Sequence, residues 1–189
     1  MQDARTQSIG DVLDNLTLPA VDSGVTGSLD AALAGRRGAL VVFWSGVCTH
    51  CVRYDRYFND FPARHPDVAF FGVATRLTES RNDVNKTAAE RGLTFPLYFS
   101  GDGAAAAGYL AQQTPRVYLV DHARRLLYRG AIDNFKYADD PEYQPYLQRA
   151  LTSFLAGEPI GRADTPSFGC AVSSPYYLIP RMIERKPRG

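Results

Sequence analysis

The stretch Ala39–Cys51 (ALVVFWSGVCTHC) decides the fold. Its first six residues form a continuous apolar run, bounded by Gly38 and by Ser45-Gly46. Such a run suits a strand buried on both faces. Its last four residues, Cys48-Thr49-His50-Cys51, are a Cys-x-x-Cys pair opening a helical segment. The first sulfur then sits at a helix N-terminus, where unpaired N–H groups and the positive dipole end favour a thiolate. The second lies one turn on and can close a small disulfide. Reactivity of a thiol follows from such placement, so strand, pair and helix together read as a redox site. Cys48, nearer the helix tip and expected to be the more exposed, is the attacking thiol. Cys51 is the resolving thiol, which breaks the mixed disulfide that Cys48 forms.

Working outward, residues Cys51–Phe61 read as one helix: Tyr54, Tyr57, Phe58 and Phe61 fall at helical spacing. Pro62 marks its expected end. Val68–Ala74 is a second buried strand. Ser80–Arg91 is a helix capped by Ser80, supported by Asp83 and closed by Gly92. A short strand Phe95–Phe99 and an alanine-rich helix Asp102–Ala111 follow. Arg116–Val120 and Arg125–Arg129 suggest a hairpin turning at 121–123. Pro145–Leu155 is the last helix, ended by Gly157 and Pro159. Ahead of the decisive stretch, Met1–Ser28 reads as a polar lead-in with an extended segment near Leu16–Val21. A short helix Leu29–Leu33 then ends at Gly35. From Ile160 on, Gly, Pro and Ser predict an irregular tail. The organisation expected is an N-terminal extension (1–28), an α/β domain (29–157) and a C-terminal tail (158–189). Alternating strands and helices imply a central mixed sheet flanked by helices on both faces.

The bulk numbers exclude several classes. A chain of 189 residues, 45% hydrophobic with net charge +1, gives no footprint for nucleic acid. The basic stretch Arg181–Arg188 is short and interrupted, and reads as a solvated tail. No apolar run approaches the roughly 18–20 residues of a membrane span. Met1–Gly10 carries no signal-peptide core, which points to a cytoplasmic setting, or a periplasmic one for a processed mature chain. Three cysteines are an odd set, unlike a disulfide scaffold. His50, His65 and His122 supply no second ligand pair at metal spacing, so no metal and no cofactor is expected. Val52 stands where a c-type haem site needs histidine.

Three further places carry chemistry. His50, when charged, would stabilise a Cys48 thiolate and make the disulfide more oxidising. Trp44 reads as a wall beneath the site. Thr114-Pro115 precedes a strand, an ordinary place for proline.

Phe43–Cys51, followed at a distance by Thr114–Asp121 (TPRVYLVD), resembles the thioredoxin superfamily. Ala88–Phe99 (AAERGLTFPLYF) looks like the insertion of its TlpA-like and peroxiredoxin-like redoxin branches. Leu126–Asn134, Leu147–Pro159 and Phe168-Gly169-Cys170 are similar to peroxiredoxin-like redoxin proteins of bacteria. The resemblance spans Leu16 to Val172. It implies a thioredoxin-like fold with Pro115 in cis, its backbone clamping an extended substrate beside the sulfurs. It assigns the nucleophile role to Cys48, the resolving role to Cys51, and supporting roles to Trp44, Thr49, His50, Thr114 and Pro115. Cys170 is a third candidate redox thiol.

The departures from the family pattern concern proton transfer. Thr49-His50 replaces the Gly-Pro dipeptide of thioredoxin, and Val47 replaces its tryptophan. Val42 and Tyr54 stand where thioredoxin and TlpA-like proteins carry a buried acid. Asp55, Glu90, Asp121 and Asp133 are the remaining candidates to accept the Cys51 proton. The function implied is dithiol–disulfide exchange with protein or small-molecule substrates and a redox partner. Two alternatives stay open: a peroxiredoxin-like peroxide reductase, and a non-enzymatic redox-sensing or partner-binding module. The peroxidase reading lacks the proline and threonine that precede a peroxidatic cysteine.

Overall fold

A short hairpin comes first, with β1 (Thr17–Pro19) antiparallel to β2 (Thr26–Ser28). The computed structural model describes residues 7–172, so Arg181–Arg188 lies outside the described residues. Next come α1 (Leu29–Leu33), β3 (Gly38–Trp44), α2 (Thr49–Val52), α3 (Asp55–Arg64) and β4 (Val68–Ala74). α4 (Arg81–Glu90), β5 (Leu97–Phe99), α5 (Ala104–Gly108) and β6 (Gln113–Thr114) follow. The last elements are β7 (Arg116–Asp121), β8 (Leu126–Gly130), α6 (Tyr146–Ala156) and β9 (Cys170–Ala171).

The central sheet has the order β5-β4-β3-β7-β8. β3 runs parallel to β4 and antiparallel to β7, and β7 turns back on β8 as the expected hairpin. All seven residues of β3 are buried. Leu40, Val42 and Trp44 face one apolar core; Ala39, Val41 and Phe43 face the other. This is the period-two alternation of a strand covered on both sides. α2, α3, α4 and α6 cover the first face, whereas α1 and α5 cover the second.

Two helical boundaries differ from the sequence reading. The segment expected as one helix over Cys51–Phe61 breaks at Arg53-Tyr54, where Tyr54 has φ −107° and ψ 1°. The Tyr54 hydroxyl is drawn to Asp133, to which it donates at 2.6 Å. Pro62 does not end the helix but lies inside α3, which continues to Arg64. An interior proline costs about 3 kcal/mol through its lost N–H and ring clash. Burying Phe58 and Phe61 returns about 1.5–3 kcal/mol each, and both rings pack on Phe70 of β4. α4 follows expectation: Ser80 and Asp83 form a reciprocal capping box.

The described residues on either side of the domain are more ordered than the sequence suggests. Leu13 and Leu16, read as part of a polar lead-in, are buried in the second core. The region expected to be irregular after Ile160 pairs twice with the domain. Ala163–Thr165 runs along Arg129 of β8, and β9 pairs with β6. Among the described residues no helix is long and apolar enough to cross a membrane.

Candidate functional site

β3 delivers the site. Its last residue is Trp44, after which Ser45–Val47 turn the chain into α2. Cys48 is the N-cap of α2 and Cys51 lies within its single turn. Register brings in the second half: Phe43 pairs with Arg116, so Thr114-Pro115 stands beside the end of β3. The Thr114–Pro115 peptide bond is cis. The Sγ of Cys48 lies 3.1 Å from the Thr114 carbonyl oxygen.

The two sulfurs differ in ionisation. The Cys48 thiol is lowered to about 3, foremost by a hydrogen bond from the Cys51 thiol, against the opposing effect of burial; Cys170 and the Thr114 side chain add to the lowering. The Thr114 carbonyl opposes this thiolate, because an acceptor can only receive a proton donated by the thiol form. Cys51 is raised well above the ordinary thiol range, first by burial and then by the hydrogen bond and charge of Cys48. One proton is therefore held on Cys51 and offered to Cys48. All three cysteines are free.

The expectation that Cys48 is the exposed thiol does not hold: Cys48 and Cys51 are both 0% exposed. β9, the last strand among the described residues, lies against Cys48. In β9, Cys170 pairs with Thr114 and Ala171 with Gln113. The Val172 amide then donates to the Gln112 carbonyl at 2.9 Å. Cys170 Sγ lies 3.9 Å from Nδ1 of His50. The His50 ring packs on Phe135 at 5.0 Å between centroids. Ligand atoms of Cys48, His50 and Cys170 all lie within 4.8 Å of one another. This set is not legible in the sequence, where His50, His65 and His122 offer no second ligand pair and Cys170 lies far along the chain. Two thiolates and an imidazole are donors that suit a soft ion such as Cu(I) or Zn(II).

A frame of charged groups holds the turn in place. Glu79 is buried, accepting from the Ser45 hydroxyl at 2.5 Å and from the Gly46 amide at 2.8 Å. A Cβ on Gly46 would meet Glu79 Oε1 at 2.7 Å, so a side chain there would push that carboxylate out of its place on the turn. Arg91 donates to both Asp55 oxygens at 2.7 Å and to the Gly46 carbonyl at 3.0 Å. Its guanidinium also lies over the ring of fully buried Trp44, 4.8 Å from the centroid. Thr49 begins α2 beside the cysteines and is exposed.

The acids considered for Cys51 are differently employed. Asp55 is clamped by Arg91, and Glu90 pairs with Lys86 on the surface. Asp121 pairs with Gly38 at the opposite end of β3 from the sulfurs. Asp133 is buried and accepts from Tyr54, with Arg53 at 3.8 Å. Sequence reasoning missed Glu79 and Arg91. Their only local signal is a charge within a stretch otherwise assigned to a loop or to a helix end.

Comparison with known proteins agrees with this architecture. Among solved structures, the hypothetical protein SMc02350 of Sinorhizobium meliloti superposes with a TM-score of 0.77 at 23% identity, over 90% of this chain and 96% of that one. A candidate thiol:disulfide interchange protein DsbE of Chlorobium tepidum gives 0.66 at 20% identity, over 79% and 99%. The peroxidoxin BcpB of Mycobacterium tuberculosis gives 0.61 at 17% identity, over 80% and 98%. These likenesses place the chain in the thioredoxin-like fold. Comparison with curated protein sequences gives no match. The sequence model of one family covers residues 9–147, most of the chain, and on that ground the protein belongs to the Redoxin family.

Proposed function

We propose that the protein is a thiol–disulfide oxidoreductase whose exchanging couple is Cys48 and Cys51. The observation that carries the reading is the placement of Cys48 Sγ at the start of α2, against the Thr114 carbonyl, with Cys51 in the same helical turn. In the reaction, the Cys48 thiolate attacks a substrate disulfide and forms a mixed disulfide, releasing one substrate thiol. Cys51 then loses its proton, attacks Cys48 and releases the second substrate thiol. The low Cys48 ionisation supports attack at neutral pH, and the raised Cys51 keeps the second thiol protonated until the mixed disulfide forms.

Polypeptide disulfides are the substrates the surface favours. Val47, Val52, Phe135 and Phe168 are exposed large apolar residues next to Cys48, Cys51, His50 and Gly169. Exposed apolar side chains on the segments that carry the sulfurs suit an unfolded or extended chain. Insulin reduction in the presence of dithiothreitol tests the reading. Turnover is expected in the native protein and absent in Cys48→Ser; undiminished turnover in that variant would sink the proposal. With Cys51 and Cys170 both replaced by serine, substrate is expected to stay on Cys48 as a stable mixed disulfide.

A further inference from the structure

β6 is a two-residue edge immediately before Pro115, and it already has a partner. Extended peptides dock on such edges by adding a strand, with main-chain bonds giving affinity. Here the added strand is the chain's own β9, antiparallel to β6. Its register sets Cys170 opposite Thr114, the residue whose carbonyl touches Cys48 Sγ. A substrate cysteine waiting for attack would have to stand at this place. The fit is close: a Cβ on Gly169 would collide with the Thr114 carbonyl oxygen. Behind this strand Cys48 has no exposed surface.

We propose that Gly169–Val172 is a built-in substrate strand, docked on β6, whose Cys170 exchanges into a disulfide with Cys48. The proposal rests on Cys48 being the exchanging thiol, as argued above. An external disulfide first oxidises Cys48 and Cys51, leaving as two thiols. Cys170, as thiolate, then attacks Cys48 Sγ. The Cys48–Cys170 bond forms as the Cys48–Cys51 bond breaks, and the electron pair stays on Cys51. Cys51 takes up the proton that Cys170 gave, so the step is an isomerisation without net oxidation. The sulfurs that would join, Cys48 Sγ and Cys170 Sγ, already lie within 4.8 Å of each other. An external polypeptide gains the same edge only by displacing β9. The strand therefore shields Cys48 and gives the protein a second disulfide state that leaves Cys51 reduced.

The test uses the full chain. Cys51→Ser removes the competing disulfide; the variant is treated with oxidised glutathione and mapped by mass spectrometry without reduction. Glutathione on Cys48 should be expelled by Cys170, giving a linked Cys48–Cys170 peptide. Retention of glutathione on Cys48 overturns the proposal. Gly169→Ala should loosen the strand and speed iodoacetamide alkylation of Cys48 by about tenfold, because reactivity follows the open fraction. An unchanged rate overturns the shielding. The parent reading is separable: if native protein reduces insulin through Cys48 yet no linked peptide forms, the strand proposal alone fails. If Cys48 reacts with neither insulin nor oxidised glutathione, both fail.

Discussion

The two faces of the central sheet are built from the same strand and do different work. On one face of β3, Ala39, Val41 and Phe43 meet Tyr109, Tyr118, Leu29 and Leu33 in a core with no cysteine. On the other, Leu40, Val42 and Trp44 lead to Cys48, Cys51 and the aromatic rings of α3. The first face satisfies its few polar atoms within itself, as the Tyr118 hydroxyl does by donating to the Tyr109 carbonyl at 2.8 Å. The second ends in a turn that needs Glu79, Arg91, Asp55 and Thr114 to hold two sulfurs in unlike states. The lesson is that stability and chemistry are separable across a single strand, and substitutions can test how far.

The largest expected effect is the loss of exchange in Cys48→Ser, to background in insulin reduction. Phe43→Ala is the mirror case. Phe43 is fully buried and packs on Tyr109 and Tyr118 at 5.6 and 5.5 Å. Truncating a buried phenylalanine costs about 3–5 kcal/mol. The variant should lose that much in urea unfolding while the alkylation profile of Cys48 stays in place. A shifted profile would show that the two faces are coupled.

Acidity sharpens the same contrast. Because the Cys48 thiol is lowered to about 3, its alkylation should be flat from neutral pH well into the acid range and fall as pH drops through about 3. Linkage gives the matching stability trend. Between that value and the ordinary thiol range near 8.5, the unfolded chain binds a proton at this residue that the folded chain does not. The stability contributed by Cys48 is thus present above the unfolded value and is lost as pH falls towards the folded one. Cys51, raised instead, contributes stability below the unfolded value that is lost as pH rises through its folded value. The Cys48–Cys51 disulfide form titrates neither group and is the control. Stabilising the Cys48 thiolate also stabilises the reduced protein, so the couple should be more oxidising than thioredoxin's roughly −270 mV. A potential at or below that value would contradict the lowered thiol.

Glu79 belongs to the chemical face but acts through geometry. Glu79→Ala leaves the Ser45 hydroxyl and the Gly46 amide without their acceptor. Unpaired buried groups cost about 1–3 kcal/mol. Stability should fall by that amount in urea unfolding, and insulin turnover should fall as the turn before Cys48 loosens. Glu79→Gln, which keeps an acceptor oxygen, should recover most of both.

What was legible in the sequence follows the range of the interactions. β3 and β4 declare themselves because each is a continuous apolar run buried on both faces. The capping box of α4 needs only residues three apart. The Cys-x-x-Cys pair is likewise local, and Thr114-Pro115 was visible once the family resemblance supplied its meaning. What was missed depends on distant partners. The break at Tyr54 is tied to Asp133, 79 residues on. The approach of Cys170 to Cys48 comes through a two-residue strand paired across 56 positions, Thr114 to Cys170. Glu79 reaches back 34 residues to Ser45. No periodicity in the sequence encodes such pairings.

The smallest effect belongs to the quiet face. Tyr118 is fully buried, and burial raises its hydroxyl above the ordinary tyrosine range, which keeps it protonated. That hydroxyl donates to the Tyr109 carbonyl and also receives a bond from Arg116 Nε at 3.1 Å. Tyr118→Phe keeps the ring contacts with Phe43 and Tyr109 and removes only these polar links. The net worth of one hydrogen bond is about 1 kcal/mol, and a loss of that order is expected in urea unfolding. Arg116, freed from the hydroxyl, retains Ser167 at 2.8 Å in the segment leading to β9. Arg116 is also the residue after Pro115, so a slackened guanidinium can be felt on the other side of the sheet. If Tyr118→Phe raises Cys48 alkylation, the faces communicate through Arg116 and the shield strand; if it lowers stability alone, the division across β3 holds down to a single hydroxyl.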